Sequence, residues 1–105
     1  MTKIDVNPGI CGLKTQLIIT ADDMQIVKVE IQSECPHILK MKEELSELDG
    51  YEECFAKYSE STVYKVAEKH CKHLACPVPT AIIKGIEVAC GLALPKDVII
   101  HIEKE

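Results

Sequence analysis

From residue 11 to residue 35 apolar and polar positions largely alternate, and from 36 to 90 the apolar positions recur every three or four residues. Alternation marks a strand with one buried face, and the longer spacing marks a helix burying a stripe. Residues 11–20 and 25–35 are rich in β-branched side chains and read as two strands joined by Ala21-Asp22-Asp23-Met24. Pro36 opens a predicted helix carrying Ile38, Met41, Leu45 and Leu48, and Asp49-Gly50 stops it. A short helix from Tyr51 to Tyr58 follows. Ser59 or Ser61 caps a third helix that runs to about Cys71, with Val63, Val66, Ala67 and His70 on its inner stripe. Pro77 and Pro79 start a fourth, whose face carries Ile82, Ile83, Ile86 and Ala89, with Gly91 just beyond it. Pro95-Lys96-Asp97 turns the chain into a last predicted strand, Val98-Ile99-Ile100-His101-Ile102. The order ββααααβ predicts an α+β fold, an antiparallel β-hairpin plus a C-terminal strand with helices packed on one face. A chain of 105 residues without internal repeats makes a single domain, 1–105.

The hairpin carries a consequence for two cysteines. A turn at 21–24 makes paired residue numbers sum to about 45 or 46, and positions 11 and 35 meet that condition. Cys11 and Cys35 are therefore expected opposite one another at the open end of the hairpin, on its apolar face. The second dense cluster is His70-Cys71-Lys72-His73-Leu74-Ala75-Cys76, at the junction between two predicted helices. A helix N-terminus favours a thiolate. If the junction reaches the hairpin's open end, Cys11, Cys35, Cys71 or Cys76, and His70 converge as soft ligands. Such a set selects zinc or iron–sulfur chemistry.

Composition narrows the classes. The chain has 17 acidic residues against 12 cations, a net charge of -5, and every cation is Lys. With no Arg to read phosphate or guanine and a charge that opposes polyanions, no nucleic acid is expected as a partner. There is no apolar run long enough for a membrane helix and no secretory h-region at the start, so no membrane partner and a cytoplasmic location are expected. Thiols stay reduced there, so the six Cys read as ligands, reactive thiols or core residues rather than disulfides. Cys54 and Cys90 read as core. His37 reads as a first-turn helix residue, His73 as solvated and His101 as lying on the far sheet face. Glu43-Glu44 and Glu52-Glu53 read as solvated helix faces. No phosphate loop, nucleophile elbow or zinc-protease motif is present, so no enzyme is expected beyond a thiol-based sulfur transfer.

Pro8-Gly9-Ile10-Cys11-Gly12, Leu17-Ile18-Ile19, Gln25-Ile26-Val27-Lys28 and Cys35, 24 residues after Cys11, resemble the core of iron–sulfur cluster scaffold proteins of the IscU and NifU N-terminal type. His70-Cys71 resembles that family's His-Cys, and Ala81 to Ala89 its following helix. Residues 8–90 are covered. The resemblance implies a cluster-binding site at Cys11, Cys35 and Cys71 or Cys76, with a cysteine desulfurase and an acceptor apoprotein as partners. The departures are specific. Leu13 replaces the family's Asp, which implies a less labile site. The spacing from Cys35 to Cys71 is 36 residues, shorter than the family's. Cys76 lies nearer the helix start than Cys71, and the chaperone-binding Leu-Pro-Pro-Val segment is absent.

The leading expectation is thus a metal-binding, scaffold- or carrier-like protein that holds an iron–sulfur cluster or Zn through clustered thiolates. Two alternatives stand beside it. One is a small binding or regulatory module with structural Cys, whose apolar helix face offers a homodimer contact. The other is a sulfur-relay thiol protein.

Overall fold

The computed structural model describes residues 1–105. It is α+β, a four-stranded antiparallel sheet with helices on one face. The strands are β1 (Thr2–Val6), β2 (Thr15–Ala21), β3 (Ile26–Ser33) and β4 (Leu48–Asp49), and they lie in the order β1-β2-β3-β4. The helices are α1 (Pro36–Leu39), α2 (Gly50–Phe55), α3 (Thr62–His70) and α4 (Val78–Ala89).

The hairpin and the two longer helices form where their patterns predict, but the third long strand comes from the wrong end of the chain. Thr2-Lys3-Ile4-Asp5-Val6 alternates apolar and polar, and it pairs with β2 from Thr2↔Ile19 to Val6↔Thr15. Val98–Ile102 forms no strand, and residues 91–105 are all exposed. The expected C-terminal strand is therefore corrected to an N-terminal one. β-propensity shows that a segment suits a sheet; it does not supply the neighbour whose hydrogen bonds make it a strand. His101 consequently lies on no sheet face and instead contacts Glu103 at 2.8 Å.

The helix expected from Pro36 to Leu48 is short. After Leu39 the chain continues in tight turns, with the amides of Met41, Lys42, Glu44 and Leu45 each donating three residues back. Such turns keep nearly the helical spacing, so Ile38, Met41, Leu45 and Leu48 still enter the core. Asp49 does not stop a helix. It caps the next one, its carboxylate accepting from the Glu52 amide at 3.0 Å. Gly50 is that helix's first residue.

The inner sheet face presents Leu17, Ile19, Val27, Val29 and Ile31, all buried, and α4 lies over β1 and β2 with Val78, Ile82 and Ile86 inward. Gly85 is where helix and sheet approach closest. A Cβ there would collide with the Cδ1 atoms of Ile4 and Ile19. α4 ends in a Schellman arrangement, with Leu92 donating to the Glu87 carbonyl at 2.8 Å and Gly91 at φ 74°.

Candidate functional site

The site grows from three element ends that α4 draws together. Cys35 occupies the N-cap position of α1, and its amide donates to Ser33 Oγ at 3.0 Å. Ser33 Oγ in turn pairs with Thr15 Oγ1 at 2.7 Å, which ties the turn out of β3 to β2. Cys71 caps the C-terminus of α3, its amide donating to Ala67 at 2.7 Å. Cys76 immediately precedes Pro77, the N-cap of α4. The His73 carbonyl organises the junction: it accepts from the Cys71 thiol at 3.3 Å and from the Cys76 amide at 3.1 Å.

All three sulfur-bearing side chains are half-buried against the core. Cys71 lies beside Cys76, and Cys35 is near enough for its charge to act on the same thiol. Burial, then these neighbours, push the Cys76 thiol from an ordinary 9.0 up to about 11, against the pull of the Val78 amide at the start of α4. At neutral pH Cys76 is a thiol, and a metal ion or an electrophile must displace its proton.

Cys11 does not stand opposite Cys35 on a paired strand as the sequence predicts. The observed register pairs Thr15 with Ser33 and Ala21 with Val27, so paired numbers sum to 48. The turn lies one residue later than expected, at Asp22–Gln25, with Gln25 at φ 62° and the Asp22 carboxylate accepting from Met24 and Ile26. β2 also begins only at Thr15. Gly9 and Gly12 take left-handed conformations, φ 91° and 67°, and close a turn through Gly12 N–H to the Gly9 carbonyl at 2.9 Å. Cys11 sits in that turn, exposed, and Leu13 just after it is exposed as well. As the side chains stand, no three His, Cys, Asp or Glu groups are close enough to hold a metal ion.

His70 faces elsewhere too. Its Nε2 contacts Glu44 Oε2 at 2.6 Å, and Lys69 contacts Glu44 Oε1 at 2.8 Å, pinning the turns after α1 to α3. Hydrogen bonds from Lys69 and then His70 hold the Glu44 carboxyl below its usual value. Cys54 and Cys90 behave as core residues: Cys90 is buried, Cys54 is half-buried beside it, and burial raises both thiols.

Two residues carry more than their sequence context suggests. Glu53, expected on a solvated face, is 6% exposed. Its carboxylate accepts from Ser61 Oγ, Thr62 N and Val63 N and caps α3 from a different helix. The Ser-Thr-Val start of α3 was the only signal available, and it does not name its partner. His37, two residues after Cys35, is a helix residue as expected. Its Nδ1 is buried with no hydrogen-bond partner, the one such side-chain atom in the molecule. An orphaned buried nitrogen requires a water, an ion or a movement to satisfy it.

Fold and site together define a small α+β domain with one corner of half-buried thiols. Residues 2–102 match the family described as "Family of unknown function (DUF6951)", and the chain belongs to that family. No curated protein and no solved structure matches it. No helix is long and apolar enough to cross a membrane.

Proposed function

We propose that this protein is a thiol-based carrier that takes up a soft metal, zinc or iron with sulfide, as cargo at Cys35, Cys71 and Cys76. The observation carrying this reading is that Cys35 and Cys71, from two other element ends, both lie near enough to Cys76 to act on its thiol. Thiolates select soft metals over magnesium or calcium. The start of α4 stabilises the thiolate that metal binding must produce, through the Val78 amide. His37 brings an unpartnered nitrogen close in the chain to Cys35, and a three-Cys, one-His set is a common zinc donor set. Side chains that must close around the ion suit a carrier, which has to release what it binds. The resemblance to IscU and NifU supports a reducing, cytoplasmic setting, with a cysteine desulfurase and an acceptor apoprotein as partners. Cys11 is left outside the ligand set.

The test is titration of oxygen-free, metal-stripped protein with Co(II) and Zn(II). One ion per chain with sulfur-to-cobalt charge-transfer absorption is expected, lost in Cys71→Ser and Cys76→Ser and kept in Cys11→Ser. Absence of stoichiometric binding, or binding that survives loss of both Cys71 and Cys76, overturns the reading. The proximity of Cys71 and Cys76 favours a second reading, a dithiol that accepts and passes on sulfur. A persulfide retained at one of the two after incubation with a desulfurase and cysteine, with no metal bound, would select it.

A further inference from the structure

The C-terminal arm and the sheet edge each lack a partner. β1 is an edge strand, and nothing pairs beyond it. Its inward residue Ile4 stays half-buried although it packs against the core. At the other end of the chain, Val98, Ile99, Ile100 and Ile102 are 59%, 87%, 74% and 85% exposed. A β-branched segment exposed to water is an aggregation hazard unless something covers it. The five residues of Val98–Ile102 equal β1 in length. Val98, Ile100 and Ile102 share one parity and suit the core side of an added strand. The family match extends to residue 102, so the arm belongs to the unit as the globular body does.

The arm's own body does not take it up. The Schellman turn at Gly91 and the Pro95 that follows lead the chain away from the sheet, and no residue after Cys90 is buried. The molecule measures 47 × 28 × 25 Å, drawn out along one axis. We propose that Val98–Ile102 adds as a fifth strand to the β1 edge of a second copy, and that two chains exchange arms reciprocally. Main-chain bonds to the open edge supply affinity, and the alternate apolar residues extend the core over Ile4. A closed two-fold exchange removes both free edges and both exposed arms at once.

The test uses the full chain with its thiols kept reduced. Light scattering should report a dimer, and the triple variant Val98→Lys, Ile100→Lys, Ile102→Lys should weaken self-association by at least about 100-fold, the loss expected from three buried apolar side chains. Because the arm is exposed throughout, that variant keeps its fold, checked by circular dichroism. In a mixture of labelled and unlabelled copies, intermolecular NOEs should join Val98–Ile102 to Thr2–Val6. A monomer, a dimer indifferent to the three substitutions, or NOEs found only within one chain would overturn the proposal.

Discussion

Cys76 and Cys54 have thiols pushed up to about 11, in both cases chiefly by burial. A thiol held protonated by the fold stabilises the native state below its ordinary 9.0, and that contribution is lost as pH rises through the folded value. Thermal stability should therefore fall between pH 9 and about 11, and Cys76→Ser should flatten that fall. Alkylation followed by mass spectrometry should modify exposed Cys11 first at neutral pH, with Cys76 lagging and accelerating as pH approaches 11. Equal rates at Cys11 and Cys76 would contradict the placement. Gly85 offers a separate check. A Cβ there meets two isoleucine side chains packed in the core, so Gly85→Ala should cost about 1–3 kcal/mol in chemical denaturation despite its better helix propensity. No net loss would mean that the helix stands further from the sheet than described.

At the scale of elements, the joints are polar and the faces apolar. Glu53 on α2 caps α3 through three hydrogen bonds. Glu53→Ala should destabilise by about 1–3 kcal/mol, because buried donors at the start of α3 lose their acceptor. A double-mutant cycle with Ser61→Ala should show coupling between the two. Glu44 makes a more exposed joint to Lys69 and His70. Its carboxyl is held below its usual 4.5, so this contribution is present above that value and is lost as pH falls through the lower folded one. Glu44→Gln should make the melting temperature less sensitive to acidification, with little change at high salt. Neither joint was legible in the chain. Glu52-Glu53 and Glu43-Glu44 look alike as neighbouring acids, and which one turns inward depends on the helix that arrives later. The hairpin, the Ser61 cap and the α4 face were legible because each depends on residues close together. The placement of Cys11 was not, because a one-residue error in the turn and a missed break at Gly12 both change where the strand begins.

On the scale of the whole molecule, one sheet face carries the core and one end of the sheet carries the thiols. α4 runs between the two ends of the sheet, with Cys76 just before its start at the thiol corner and Cys90 beside Gly50 and Val27 at its other end. Periodicity and punctuation alone determined the α+β class, the strands of the hairpin, the two longer helices and the apolar residues that fill the core. Those properties follow from local backbone preference and from which side chains avoid water. Only the tertiary structure decided that the third long strand is Thr2–Val6 rather than Val98–Ile102, that Cys11 lies in an exposed turn while Cys71 lies beside Cys76, and that Glu53 is buried. Each of those depends on which distant segment occupies a given neighbouring position. Several segments suit the same sheet edge, and packing selects among them through the free energy of the whole core.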